Sequence, residues 1–190
     1  MTRFVVAALL AALQLSSAAL AQIAAPQQPY AALGERPVKA LSQEQIADLR
    51  AGRGMGLALA AELNGYPGPL HALEHADALG LSAAQRERTK ALFDRMKAEA
   101  VPLGERLIEE ETALDRLFAT KSVEPSSLDA ATRAIGGTQG ALRAAHLRYH
   151  LAMMEVLDPE QVRRYGELRG YGAGPAQRGH GGAGHGARAR

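Results

Sequence analysis

Between Leu41 and Leu168 the apolar positions recur at intervals of three and four residues with polar residues between them, the spacing of helices that bury one face. No segment alternates Val, Ile or Thr with polar residues over a useful strand length, so the pattern predicts an all-α chain of long antiparallel helices. A first helix is expected over about Gln43 to Leu63, stopped by Asn64-Gly65 and the prolines of NGYPGP, and a short second one over His71 to Leu79. The third is long, from Ser82 to about Ala119. Leu92, Met96, Ala100, Leu103, Leu107, Leu114 and Phe118 form its apolar stripe, and Pro102 predicts a kink inside it. A fourth is expected from about Ser127 to Val156, with Leu128, Ala131, Ile135, Leu142, Tyr149 and Met153 inward. Its Gly136, Gly137 and Gly140 mark a bend, a close helix approach or simple tolerance. A fifth starts at Asp158 and ends before Gly170.

Three of these helices open with one recurring element: Leu41-Ser-Gln-Glu-Gln45, Leu81-Ser-Ala-Ala-Gln85 and Leu157-Asp-Pro-Glu-Gln161. In each, Ser or Asp is placed as an N-cap accepting from an orphan backbone N–H, and the Gln three residues later can reach back to the cap. The Leu before the cap can staple onto the first turn, and Pro159 sits at the first helical position, where its missing N–H costs nothing. The spacings, 40 and then 76 residues, are irregular, which makes this a reused cap and not a solenoid repeat.

The termini read differently. Met1-Thr2-Arg3 followed by FVVAALLAALQL and SSAALAQ is a secretory signal with an A-x-A site, so residues 1–21 are expected to be cleaved after Ala21 and the protein to be periplasmic. The signal's apolar run is shorter than the roughly 18 to 20 residues a membrane span needs, and no later segment reaches that length, so no span is expected after cleavage. Residues 22–40, rich in Ala, Gln and Pro, read as a flexible lead. Residues 41–169 read as a single helical domain whose first part, 41–69, is an added N-terminal piece, and the Gly-rich residues 170–190 as a disordered tail.

An exported chain without cysteine must stand without disulfides, and the absence excludes thiolate metal sites and thiol nucleophiles. The sequence pI near 9.1 suggests nucleic acid, but the basic excess sits in Arg3 and in Arg178, Arg188 and Arg190 of the tail. Residues 22–169 carry 18 Lys and Arg against 20 Asp and Glu, which argues against a nucleic-acid-binding face. Gly52-Arg-Gly54-Met-Gly56 is no phosphate loop, because no strand precedes it and no Gly-Lys-Ser/Thr follows.

The signal, the long antiparallel helices, and the boxes Leu81-Ser82-x-x-Gln85 and Leu157-Asp158-x-x-Gln161 together resemble the Spy/CpxP family, named for paired L-T-x-x-Q motifs. Ser82 and Asp158 stand where Thr is usual, and the resemblance covers about His71 to Leu168. It implies a cradle-like homodimer that binds unfolded or aggregating envelope proteins without nucleotide, with no catalytic residues. Relatives of the CnrX and ZraP type respond to heavy metals, which implies an alternative role in metal sensing or resistance, with a membrane sensor or anti-sigma partner. The dense charges from Arg86 to Arg116 would suit weak client contact, or form only a solvated helix face.

Four histidines bear on that alternative. His71-Ala-Leu-Glu74-His75 matches an H-x-x-E-H zinc-protease pattern with Glu74 as general base, but a protease also needs a third ligand and a substrate cleft, and proteases with this pattern are far larger. His146-Leu-Arg-Tyr-His150-Leu-Ala-Met-Met154 places two further imidazoles and Met153 or Met154 on adjoining turns. Paired histidines before the first motif and His-x-x-x-Met before the second resemble the CnrX-type sites, so His71, His75, His146, His150 and Met154 are candidate ligands. Imidazole with thioether suits nickel, cobalt or copper, and imidazole alone suits zinc. The acidic ligand such sensors carry aligns near Phe93, leaving Asp94 as an out-of-phase substitute. The plain alternative is that His71 begins a helix, His146 and His150 line a polar edge of the core and Met153 packs. His180 and His185 of the tail offer imidazoles without defined geometry.

Overall fold

Ser42, Ser82 and Asp158 each accept the backbone N–H of the Gln three residues on, while that Gln side chain accepts the cap's own N–H. Each reciprocal box satisfies two donors that a helix start otherwise orphans. They open three of the six α-helices in the computed structural model, which describes residues 30–171: α1 Gln43–Ala51, α2 Leu59–Glu62, α3 Pro69–Glu74, α4 Ala83–Ala119, α5 Pro125–Met153 and α6 Pro159–Leu168. A fourth box joins Glu124 and Ser127 at the start of α5. No strand occurs among the described residues, so the all-α expectation holds. Residues 31–35 form a short 3₁₀ turn within a separate first unit. The signal, residues 22–29 of the lead and residues 172–190 of the tail, including His180 and His185, lie outside the described residues.

The long hairpin of α4 and α5 is the frame. Pro102 is exposed and does not end α4, which continues to Ala119. Gly136, Gly137 and Gly140 leave α5 unbroken, and a Cβ at each would meet nothing within 4 Å, which selects tolerance over close approach within this chain. The close approach is at Gly104 of α4, where a Cβ would stand 2.5 Å from the Leu49 carbonyl oxygen of α1.

Two apolar clusters divide the hairpin. Leu49, Ile46, Ala100, Leu107, Ile135 and Leu142 pack beneath α1, joined by Val38. Val38 is only 4% exposed, so the last residues of the expected lead belong to the folded unit. At the other end Ala72, Ala76, Leu81, Met153, Leu157 and Tyr165 bury one another. Leu81 and Leu157 are buried at their helix starts as expected.

Three expectations fail: the helix from Gln43 does not run to Leu63, the one carrying His71 stops at Glu74 and not at Leu79, and Phe118 of the expected stripe is exposed near the end of its helix. Gly52 takes φ 65°, the left-handed conformation that ends a helix, and its N–H closes onto the carbonyls of Asp48 and Leu49. With three glycines in five residues the chain turns through Arg53–Ala58 before α2 begins. The break redirects α2 so that Glu62 faces inward.

Candidate functional site

Along α4 the order is Leu92, Met96, Ala100, and along α5 Leu142, His146, His150, Met153, so Met96 and the two histidines fall between the apolar clusters. There a cavity of about 540 Å³ opens, lined by Met96, His146, His150, His71, Glu62 and Gly68, with Arg169 also on its wall. Met55, Leu59, Leu70 and Phe93 also line it, with the cations Arg53 and Lys97.

His146 is 2% exposed, and its buried Nε2 has no hydrogen-bond partner. Burial lowers its pKa, and the neighbouring His150 lowers it further, so the ring is held neutral with a lone pair available. His150 Nδ1 lies 2.9 Å from the Tyr66 carbonyl oxygen. A carbonyl only accepts, so Nδ1 carries a hydrogen, and in the neutral ring Nε2 is then the nitrogen with the lone pair; this is the arrangement that orients metal-bound imidazoles. His71 Nδ1 pairs with Glu74 at 2.9 Å on the partly exposed rim.

Glu62, only 7% exposed, is the buried carboxylate of the cavity. The Tyr165 hydroxyl donates toward both its oxygens, at 2.8 and 2.9 Å, and accepts from the Gly68 N–H at 3.1 Å. Burial pushes the Tyr165 phenol well above its ordinary range, and the Glu62 carboxylate adds to the shift. Arg169 Nε stands 4.0 Å from Glu62 and is itself buried without a hydrogen bond.

The candidate ligands therefore separate. His71, His146 and His150 share the cavity, while His75 and Met154 do not line it. Helix α3 ends at Glu74 and His75 is its C-cap, its N–H still bonded to the His71 carbonyl, yet only His71 lines the cavity. Met154 is likewise the cap of α5 and is 40% exposed, whereas Met153 is fully buried in the apolar cluster. Asp94 pairs with Lys90 on the surface. As placed, no three His, Asp or Glu side chains among the described residues converge closely enough to hold an ion.

The motif residues have a different task. Gln85 Nε2 donates to the Val156 carbonyl at 2.9 Å and contacts Gln161 Oε1 at 2.7 Å, while Gln161 Nε2 reaches the Leu79 carbonyl and Gln85 Oε1 at 3.3 and 3.2 Å. Each motif glutamine thus caps its own helix and clasps the other motif's turn. Glu62, Gly68 and Tyr165 were not singled out by sequence reasoning, and Met96 was read only as part of the apolar stripe; the signal that could have found Glu62 is the NGYPGP turn that follows it.

Fold and cavity together define a class: a helical hairpin, closed at one end by paired motif glutamines, with imidazoles buried midway along it. Residues 53–164, more than half of the chain, match the family described as heavy-metal resistance, and the chain belongs to that family. The match spans every cavity histidine and leaves α1 outside it. No curated protein and no solved structure matches the chain.

Proposed function

We propose that this protein is an exported heavy-metal-resistance protein that binds a late first-row divalent metal, nickel, cobalt, copper or zinc, in the cavity between its two apolar clusters. The observation that carries the reading is the buried, partnerless Nε2 of neutral His146 beside an oriented His150 in one cavity. Three imidazoles, a carboxylate and the Met96 thioether suit such metals by donor type. The ion would supply the positive charge that draws these lone pairs together, and His146, held neutral by burial, gives up no proton to coordinate.

Membership of the heavy-metal resistance family supports metal handling more than the chaperone reading. The paired motifs that suggested a Spy/CpxP-type chaperone have a structural task in closing the hairpin, which weakens their weight as evidence for client binding. No helix among the described residues is long and apolar enough to cross a membrane.

Isothermal calorimetry with nickel and zinc tests the proposal on the chain carrying His180→Ala and His185→Ala, which removes the tail imidazoles. One ion per chain should bind at pH 7.5, and its binding should be lost in His146→Ala and in His150→Ala but kept in His75→Ala. Binding that ignores both cavity substitutions would sink the reading.

A further inference from the structure

Three buried side-chain polar atoms among the described residues have no hydrogen-bond partner, and two of them, His146 Nε2 and Arg169 Nε, belong to residues of this one cavity. A guanidinium only donates and keeps its protons, so what Arg169 Nε lacks is an acceptor. Glu62, the single carboxylate among the lining residues, stands 4.0 Å from it and accepts from the Tyr165 hydroxyl instead. An unmet buried donor costs free energy, so an oxygen brought there by a ligand is stabilised.

The charge around the cavity points the same way. Arg53, Lys97 and Arg169 line it against Glu62 alone. Asp48 answers Arg53 at 2.6 Å and Glu62 stands against Arg169, while Lys97 lies over the Phe93 ring, 5.9 Å from its centroid, with no ion pair among the described residues. One positive charge is left over, a balance that favours a monoanion. Arg169 in turn lies over the Tyr171 ring at 5.6 Å. Both rings therefore carry a cation, and Met55, Leu59, Leu70 and Met96 remain to receive an apolar body. Thioethers and leucines adapt to an alkyl chain. Leu59 is 53% exposed and Met55 and Leu70 are each 40% exposed, apolar surface that such a chain would cover. Met55 also holds φ 43°, a left-handed conformation that disfavours a residue with a Cβ; strain of this kind concentrates at ligand sites. A volume of about 540 Å³ lies in the range of small-molecule pockets.

We propose that this cavity binds a monoanionic amphiphile of the medium-chain fatty acid kind, its carboxylate received by Arg169, its charge balanced by Lys97 and its alkyl chain covered by the leucines and methionines. The inference goes beyond metal binding and does not depend on it. Gly54 offers a way to fill the cavity while leaving its walls in place. A Cβ there would meet only the His146 ring, at 3.8 Å, an ordinary contact, and Gly54 is not among the residues with positive φ.

The test is calorimetry with decanoate on the full chain in the presence of EDTA, with decan-1-ol and decylammonium as the neutral and cationic isosteres. Decanoate should bind once per chain, and both isosteres at least about tenfold more weakly, the loss expected for a hydrogen bond to a charged group. Lys97→Gln, which breaks no ion pair, should weaken decanoate by about fivefold, the worth of a half-exposed charge pair, and leave decan-1-ol unchanged. Gly54→Leu should abolish decanoate binding. If that variant folds poorly, the ranking of isosteres and Lys97→Gln still decide. No heat from decanoate would mean that water alone fills the cavity, which overturns the inference and leaves the metal reading to its own titration with nickel and zinc. Equal affinity for decanoate and decan-1-ol would overturn the anionic head. Unchanged binding in a folded Gly54→Leu would place the ligand on another surface and overturn the site.

Discussion

The two ends of the hairpin are closed by different physics. Beneath α1 the contact is mainly apolar: Leu49 and Ile46 press on Ala100 and Leu107, the backbones meet at Gly104 without any side chain between them, and the Arg50–Glu105 ion pair lies exposed at the edge. At the motif end, apolar Leu81, Leu157 and Met153 are overlaid by a polar clasp in which Gln85 and Gln161 bond each other and each other's turns. Dispersion and burial hold the first end without directional preference; the second specifies one register, because buried amides tolerate only geometries that satisfy them.

The end beneath α1 should be the more fragile to a small change. Gly104→Ala introduces a Cβ 2.5 Å from the Leu49 carbonyl oxygen, a backbone atom that cannot swing aside. Alanine favours the helix interior by up to about 1 kcal/mol, yet overpacking costs about 1–3 kcal/mol and occasionally more. A net loss of about 1–2 kcal/mol is expected, read as a lower urea midpoint with unchanged slope. An unchanged midpoint would mean that α1 does not sit so close on α4.

The clasp should yield less, and its loss should be shared. Gln85→Ala and Gln161→Ala are each expected to cost about 0.5–1.5 kcal/mol in part-buried hydrogen bonds and capping. Because each deletion already breaks the Gln–Gln bonds, the double variant should fall short of the sum by about 0.5–1 kcal/mol. Strict additivity in a double-mutant cycle would reduce the pair to two independent caps.

The same contrast explains what could be read in advance. Local signals carried the helices: the caps at Ser42, Ser82 and Asp158 depend on residues three apart, and the stripe from Met96 to Leu107 depends on helical period alone. The helix ends were harder. Gly52 stops α1 through its left-handed φ, and α3 stops at Glu74 instead of running on to Leu79. Long-range contacts were invisible. Gln85 and Gln161 are 76 residues apart, and Glu62 in Leu-Ala-Ala-Glu reads as a solvated helix position until Tyr165, 103 residues on, is seen to bury it. His146 and His150 were legible as a pair but not as residents of a cavity, since that requires α2 and α3 to fold over them.

The smallest effect tests the face that neither end covers. Gly140 of α5 has open space where its Cβ would be, unlike Gly104 on the opposite helix. In an isolated chain Gly140→Ala should therefore stabilise, by about 0.5–1 kcal/mol, through reduced backbone entropy in the unfolded state and better helix propensity. A rise in thermal midpoint that is independent of protein concentration is the expected result. A fall, larger at high concentration, would show that a second copy packs on the Gly136–Gly140 face, where a Cβ meets nothing among the described residues. That outcome would make the glycine face a third closure of the hairpin, between chains instead of within one, and would place beside it the groove that Leu41, Leu57 and Leu142 line.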